Sequence, residues 1–294
     1  MSCIKLYYRI SDGSRNTPKL FGASKEVCLM NFCKAFAEVV FGSKDAPPTS
    51  GFVPPVTIIC DNCTDVTLEM VRSTGLPHVN THEGNAGSLI FAIRHALDKC
   101  DDDDIVYFCE DDYLHLGSAP DLLCEGMACS EYVSLYDHPD KYTSYYEGGE
   151  VSKVIKTQSS HWRSTISTCM TFGTRVKTLR EDAATWEKFT SSVIPRDHEI
   201  FLELREKGRG LLVPIPGVAC HVDLALSIKL GYMVIEPWAI ELMIEHFEHR
   251  IQQEVRANPL RAEEYVELYR KVVGNRTGRE KLMALEMLAR QFLK

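Results

Sequence analysis

Short apolar runs alternate with segments of helical periodicity in the first third of the chain. Three runs have the length and the β-branched and aromatic content of buried strands: IKLYYRI (4–10), VTIICD (56–61) and DIVYFCED (104–111). Apolar residues recur at helical spacing in three segments: 24–41 with Ser24 as its N-cap, 66–74 capped by Thr64 or Asp65, and a longer helix that starts near Ser88. This alternation of strand and helix predicts a parallel sheet with helices on its faces.

The pattern loosens in the middle of the chain and becomes helical at the C-terminal end. The segments YVSLYDHPDKY and HWRSTISTCMTFG are typical of strands and loops, and residues 196–208 form an amphipathic pattern that ends at a glycine. GLLVPIPGVACHVD predicts a last strand and loop. From about Pro237 the period is helical, with breaks near Pro259 and Gly274. We therefore predict two parts: a core domain over 1–235 and a helical extension over 236–294.

Composition narrows the possible partners and compartments. With 33 Lys and Arg against 41 Asp and Glu, the net charge is -8, and no basic block runs along the chain, so nucleic acid is not expected as a partner. Eleven cysteines are scattered, and the nearest pair is Cys60 and Cys63. A lone CxxC is a redox or half-zinc motif in some proteins, but two unrelated thiols are favoured because no second CxxC follows. We expect a cytoplasmic protein, and peripheral membrane association stays open.

Polar residues follow three of the predicted strands at the point where each strand ends. These groups are Arg9–Asp12, Asp61–Asp65 and Glu110–Asp112. Ligands of parallel sheets bind at the carboxyl ends of the strands, and these ends share one edge of the sheet. We therefore expect the three groups to lie close together.

Three consecutive acids at the end of an apolar strand need a cation or another partner. Carboxylates such as Glu110, Asp111 and Asp112 are ligands for Mg²⁺ or Mn²⁺, which usually complete their shell with substrate phosphates. The alternative is that the acids cap a helix or pair with Lys and Arg. The next residues, YLHLG, supply no local Lys or Arg, which favours the metal site.

The order of these motifs over about residues 4–222 resembles the A-type fold of glycosyltransferases, close to the family 2 enzymes. The similar stretches are YRISDGS, IICDNCTD, EGNAGSLIFAIRHAL, CEDDYLH, PRDHEIFLELREKG and CHVD. The resemblance implies a single Rossmann-like α/β domain with a central, mostly parallel mixed sheet, followed here by the helical extension. It also implies a metal-dependent enzyme that uses a nucleoside-diphosphate sugar.

The resemblance assigns roles to residues of the matched motifs. Nucleotide binding falls on the strand ends and the first helical turn: Arg9, Ser11, Asp61, Asn85, Gly87, Glu110 and Asp111. Asp61 matches the residue that contacts the base, and Glu110 the one that supports the ribose or a water. The metal ligands would be Asp112 and His221. Asp197 matches the catalytic base, although Arg196 replaces the usual acidic neighbour. We expect the helix N-terminus and Arg196 to lower the pKa of this carboxylate and to keep it ionised at neutral pH.

Six further residues are candidates for substrate contacts: Asp137, His138, His161, Trp162, Arg163 and Glu199. Tryptophan is more often buried than exposed. The polar neighbours of Trp162 nevertheless make it a candidate for an exposed loop, where its ring would stack on a sugar. Arg163 could pair with a phosphate. Asp137 and His138 either face the substrate or shape a turn. Glu199 is the alternative to Asp197 as the catalytic base.

The expected reaction is transfer of a sugar from a UDP- or GDP-sugar to an acceptor hydroxyl, with Mn²⁺ or Mg²⁺ as cofactor. The acceptor would be a glycan or a lipid-linked or protein-linked group. A single base implies inversion, while retention stays open. The alternatives are a nucleotidyltransferase and a non-catalytic protein that binds sugar nucleotides. The C-terminal helices are expected to pack on the core or to form a homo-oligomer.

Overall fold

The computed structural model of the chain describes residues 3–13, 17–42, 53–142, 150–225, 227 and 235–292. Residues 14–16 and 43–52, which come between the first two predicted strands in the sequence, are outside these ranges. The chain divides into two compact units: Met1–Asn16 with Cys28–Ala219, and Thr17–Val27 with Cys220–Lys294. The predicted domain boundary after residue 235 stays a prediction. No helix in the described ranges combines the length and the apolar character needed to span a bilayer.

Strands are concentrated in the first unit. They are β1 (Ile4–Ser11), β2 (Val56–Asp61), β3 (His78–Thr81), β4 (Ile105–Glu110), β5 (Tyr113–His115), β6 (Tyr132–Val133), β7 (Val154–Lys156), β8 (His161–Ser164), β9 (Phe172–Arg175), β10 (Leu211–Ile215) and β11 (Ala219–His221), which ends in the second unit. The three strands predicted from apolar runs, β1, β2 and β4, are confirmed.

Helices connect these strands. They are α1 (Lys25–Ala35), α2 (Ala37–Phe41), α3 (Asp65–Ser73), α4 (Gly84–Lys99), α5 (Ala119–Met127), α6 (Val176–Glu181), α7 (Ala183–Phe189) and α8 (Asp197–Glu206), with a 3-10 turn at Pro139–Tyr142. Ser24 caps α1 as predicted, because its Oγ accepts the N–H of Val27 at 3.2 Å. The predicted helix over 24–41 is interrupted at Phe36, which lies between α1 and α2.

Nine strands among the described residues of the first unit form one sheet, in the order β3-β2-β1-β4-β9-β6-β10-β8-β7. The part from β3 to β4 is parallel throughout. Strand β9 is antiparallel to β4 and β6, β10 is parallel to β6, and β8 and β7 add antiparallel pairs. The predicted α/β class with a central mixed sheet is therefore confirmed.

Alternating residues of β1 enter hydrophobic clusters on the two faces of the sheet. Tyr8 packs with Phe32 and Phe36 from the α1–α2 segment. Tyr7, pointing to the opposite face, joins a cluster that includes Leu89 of α4 and Trp186 of α7. Because helices cover both faces, polar side chains of the inner strands meet solvent mainly at the strand ends.

Helices dominate the C-terminal part of the second unit, as predicted. They are α9 (Pro237–Ala257), α10 (Ala262–Val272) and α11 (Gly278–Phe292), with a 3-10 turn at Pro259–Arg261. Both breaks agree with the sequence, since proline cannot continue a helix and Gly274 adopts a φ of 50°. Whether these helices support a homo-oligomer stays a prediction.

The acidic run 101–104 contains one buried carboxylate. Asp101, Asp102 and Asp103 are exposed, but Asp104 is buried. Its carboxylate accepts the backbone N–H groups of Cys3 and Asp101, at 3.2 and 3.1 Å. Asp104 therefore closes the turn that leads into β4 instead of facing solvent.

Candidate functional site

The carboxyl ends of β1, β2 and β4 lie side by side, as the sequence predicted. In the register of the sheet, Arg9 is opposite Glu110 and Ser11 is opposite Asp61. The polar residues that follow these strands therefore share one edge of the first unit. This edge is the candidate site.

Arg9 supplies the positive charge that pairs with one of the three consecutive acids, Glu110–Asp112, which we call the acid cluster. Only 5% of the residue is exposed, and its guanidinium forms an ion pair with the Glu110 carboxylate. The other terminal nitrogen donates to the backbone oxygen of Asn85 at 2.8 Å and to Ser88 Oγ at 3.0 Å. Arg9 thus joins the end of β4 to the first turn of α4. The predicted nucleotide contacts of Arg9, Asn85 and Glu110 remain predictions.

Asp61 organises the turn that precedes α4. The residue is buried, and its Oδ1 accepts the N–H groups of Glu83 and Gly84 at 2.7 and 3.2 Å, and the hydroxyl of Thr81 at 3.0 Å. These bonds satisfy N–H groups at the start of the helix. The sequence predicted that this helix starts near Ser88. The bonds to Asp61 explain why α4 instead begins at Gly84. Contact between Asp61 and a base stays a prediction.

Gly87 lies where the turn leaves no space for a side chain. A Cβ added there would come within 2.6 Å of Glu83 Cβ. The residue type is therefore explained by packing inside the turn, while its predicted contact with a nucleotide is untested.

Two further acids anchor loops at the same edge. Asp12, which the motif comparison did not assign, accepts the N–H and hydroxyl of Thr64 at 2.7 and 2.8 Å. The buried Asp111 accepts the N–H of Ser11 at 3.2 Å. The hydroxyl of Thr64, predicted to cap α3, is therefore directed to Asp12 instead. Asp12 and Asp111 hold the loops around the site in place.

Asp112 lies in the turn between β4 and β5 and is half-buried, as Glu110 is. Its role as a metal ligand stays a prediction. Within the ranges that the structure covers, no three His, Cys, Asp or Glu side chains are grouped as a metal site. His221 is half-buried at the end of β11, in the second unit, and its role as a ligand stays a prediction.

Asp197, the first residue of α8, holds an unusual turn. Its Oδ2 accepts the N–H groups of Thr168 and Cys169 at 2.8 and 3.2 Å, and its Oδ1 accepts the Thr168 hydroxyl at 2.7 Å. Cys169 and Met170 have φ angles of 50° and 61°, in the left-handed region that non-glycine residues rarely adopt. The carboxylate therefore stabilises a strained segment.

The electrostatics of Asp197 differ from the sequence expectation. Burial raises the pKa of its carboxyl, and the hydrogen bonds from Thr168 and Cys169 act in the opposite direction. A lowered pKa was expected from the helix N-terminus and Arg196. Instead, the Arg196 guanidinium lies over the ring of Phe189, 4.8 Å from its centroid. A raised pKa brings the carboxyl closer to the range that suits a general base at neutral pH.

Tyr113 connects the acid cluster to the turn that Asp197 holds. It follows Asp112 directly, and its hydroxyl donates to the backbone oxygen of Cys169 at 3.1 Å. The path from Asp112 to Asp197 therefore passes through Tyr113 and Cys169. Sequence reasoning missed this link because left-handed turns without glycine or asparagine have no clear sequence signal.

The expectation that Trp162 lies in an exposed loop is wrong. The residue is fully buried in β8, and its Nε1 donates to Thr157 Oγ1 at 2.7 Å. Its ring packs against Gly126, where an added Cβ would lie 2.7 Å from the indole. Trp162 is therefore a core residue that no sugar can reach. His161 is exposed at the start of β8, and its substrate role is untested.

The expected phosphate contact of Arg163 is also wrong. The side chain is buried, and its Nε donates to Asp137 at 2.8 Å while Nη1 contacts Glu150 at 3.1 Å. Two carboxylates already balance the guanidinium. His138 Nδ1 lies 2.5 Å from Asp140, so Asp137 and His138 both make contacts that shape their loop. Glu199 is half-buried in the first turn of α8 and stays the rival base candidate.

No protein-family model matches the sequence, and neither does any curated protein. Among solved structures, a CMP:2-keto-3-deoxy-manno-octonic acid synthetase complexed with CTP covers 78% of this chain and 97% of its own, at 13% identity and a TM-score of 0.43. For S. aureus TarS in complex with UDP, the match covers 71% of this chain and 57% of the TarS chain, at 15% identity and a TM-score of 0.40. For the galactosyltransferase LgtC with donor and acceptor sugar analogues, it covers 71% of this chain and 72% of the LgtC chain, at 12% identity and a TM-score of 0.39. Similarity at this level assigns no activity to this chain.

Proposed function

We propose that this protein is a glycosyltransferase that moves a sugar from a nucleoside-diphosphate sugar to an acceptor hydroxyl and depends on a divalent cation. One observation supports this most: the polar side chains at the ends of β1, β2 and β4 share one edge of the sheet. There Glu110 pairs with Arg9, Asp111 accepts a backbone N–H, and the half-buried Asp112 follows both acids in the turn after β4. Acids at the carboxyl ends of parallel strands are in position to hold a cation beside a bound diphosphate.

The donor atoms at the strand ends fit Mg²⁺ or Mn²⁺. Asp112 would be the direct ligand, with Glu110 or Asp111 close to it in sequence. Such cations are commonly held by one or two carboxylates and complete their shell with water and phosphate oxygens. When bound, the cation would stabilise the charge that develops on the leaving diphosphate.

Asp197 is our candidate for the general base. Its raised pKa and its fixed orientation by Thr168 and Cys169 suit a group that takes a proton from an acceptor hydroxyl. A base that acts on the face opposite the leaving group gives inversion at the anomeric carbon. The Tyr113–Cys169 hydrogen bond would keep this base at a fixed distance from the metal ligand.

Calorimetric titration with UDP and GDP tests the metal role. We expect binding that requires Mn²⁺ or Mg²⁺ and is lost with a chelator, because the acids otherwise repel the diphosphate. Asp112→Asn should abolish the cation effect. Asp103→Asn is the matched control, since Asp103 is an exposed acid in the turn before β4. Equal nucleotide affinity with and without cation would exclude the metal role of Asp112.

A further inference from the structure

Cys60 and Cys63 lie together at the carboxyl end of β2. Cys60 is buried in the strand, and the half-exposed Cys63 packs against the same hydrophobic cluster. Cys63 Sγ donates to the backbone oxygen of Ile10 at 3.3 Å, and Ile10 is the residue paired with Cys60 across β1 and β2. Asn62, with a φ of 51°, turns the chain back between the two cysteines. The two side chains therefore occupy the same face of the sheet edge.

The pKa of the Cys60 thiol is lowered. A hydrogen bond from Cys63 is the largest cause, burial opposes it, and the charge of Arg72 lowers the pKa further. Neither residue is part of a disulfide in this structure. Two thiols on the same face of a turn, with one of them accessible, meet the basic requirements for thiol–disulfide exchange.

We infer that Cys60 and Cys63 form a reversible modification site, at which a small-molecule disulfide such as glutathione disulfide oxidises them to an intramolecular disulfide. The half-exposed Cys63 thiolate attacks one glutathione sulfur and releases the first glutathione as a thiol. The Cys60 thiolate then attacks the Cys63 sulfur and displaces the second glutathione. The two protein thiols lose two protons and two electrons, and one glutathione disulfide becomes two glutathione thiols.

The disulfide has a structural consequence for the candidate site. Cys63 would give up its hydrogen bond to Ile10, and the Asp61–Asn62 turn between the two cysteines would have to move. Asp61 holds the N–H groups of Glu83 and Gly84 at the start of α4. Oxidation therefore loosens this turn. Under the proposed function, it also weakens nucleotide binding.

The full chain, equilibrated with mixtures of reduced and oxidised glutathione, tests this inference. After alkylation and proteolysis, mass spectrometry should show a loss of two hydrogens in the peptide that contains Cys60 and Cys63, reversed by dithiothreitol. Cys63→Ser should abolish this product, and Cys129→Ser, which removes an exposed thiol, should not. The wild-type measurement needs no variant to fold. Alkylation marks the thiols that stayed reduced. If Cys60 and Cys63 are both fully alkylated under conditions in which Cys129 is glutathionylated, the proposed disulfide site is refuted.

The link to the candidate site has separate measurements. Amide hydrogen exchange at Glu83 and Gly84 should become faster in the oxidised protein, and unchanged exchange would refute the coupling through Asp61. UDP affinity with Mn²⁺ should fall on oxidation and recover with dithiothreitol. A protein that binds no nucleotide in either state would contradict the proposed function alone, because peptide mapping and exchange do not depend on it.

Discussion

Replacing Asp197 by asparagine removes a negative charge and leaves the hydrogen-bonding pattern around it intact. The amide oxygen can take the place of Oδ2 and accept the N–H groups of Thr168 and Cys169. The amide nitrogen can donate to Thr168 Oγ1, since a hydroxyl both donates and accepts. Asp197→Ala, by contrast, leaves all three donors without this acceptor. The two variants therefore separate the chemical from the structural contribution of the carboxylate.

The expected stabilities follow from these contacts. A hydrogen bond to a charged group contributes about 1.5–3 kcal/mol and a neutral one about 0.5–1.5 kcal/mol, so three weakened bonds would cost roughly 3 kcal/mol. Burying the charge opposes this loss, as the raised pKa indicates. We expect Asp197→Asn to cost about 1 kcal/mol. Asp197→Ala should cost about 2–6 kcal/mol, because each of two stranded N–H groups costs about 1–3 kcal/mol.

The pH dependence has a defined sign. Since the folded pKa of Asp197 is raised, its contribution to stability is present below the ordinary carboxyl pKa and is lost as pH rises through the raised value. Wild-type protein should therefore lose stability relative to Asp197→Asn between acidic and neutral pH. Urea unfolding of both proteins over this range measures the difference. A difference that does not change with pH would refute the buried-charge argument.

The same variant tests the base role. If Asp197 takes the acceptor proton, Asp197→Asn should bind donor and cation normally but transfer the sugar about 10²–10⁴-fold more slowly. Thr168→Val, which removes only the side-chain hydrogen bond, should lose much less activity, and Glu199→Gln tests the rival carboxylate. A fully active Asp197→Asn enzyme, or a product with retained anomeric configuration, would remove Asp197 from this role.

Three further substitutions have defined outcomes. Asp112→Ala should abolish transfer while changing the urea midpoint little, whereas an unfolded variant would make the acid structural. Burial lowers the pKa of His115 to about 3, so the contribution of the neutral imidazole to stability is lost as pH falls from the ordinary histidine value toward about 3. His115→Gln should therefore make the free energy of unfolding less dependent on pH in this range. An unchanged pH dependence would contradict the buried neutral histidine. Gly126→Ala should cost about 1–3 kcal/mol in urea unfolding, because the new Cβ meets Trp162, and wild-type stability would disprove this tight contact.

Elements with long apolar runs were predictable, and short ones were not. Strands β1, β2 and β4 have six to eight residues and end in polar groups, so their positions and their common edge followed from the sequence. Strands such as β3, β5 and β6 have two to four residues, too few for a recognisable period. Their pairing depends on neighbours far along the chain. The helices α5, α6 and α7 were not predicted either.

The candidate site was predicted in position but less well in its contacts. Strand-end acids such as Asp61 could be located from the sequence, but their internal hydrogen-bond partners could not. Trp162 and Arg163 have polar neighbours that suggested exposure. Their burial instead comes from the pairing of β8 with β10 and β7, and from distant partners such as Gly126 and Asp137. Such long-range packing is absent from a local pattern of polar residues.

Release of nucleoside diphosphate from a panel of UDP- and GDP-sugars, with Mn²⁺, with Mg²⁺ and with a chelator, tests the central proposal most directly. We expect release from at least one sugar nucleotide that requires the cation and is lost in Asp112→Asn but kept in Asp103→Asn. Pyrophosphate release from a nucleoside triphosphate and a sugar phosphate, with no cleavage of any sugar nucleotide, would instead identify a nucleotidyltransferase. Release that is equal in the presence of the chelator, or unchanged in Asp112→Asn, would contradict the metal-dependent mechanism at this edge of the sheet.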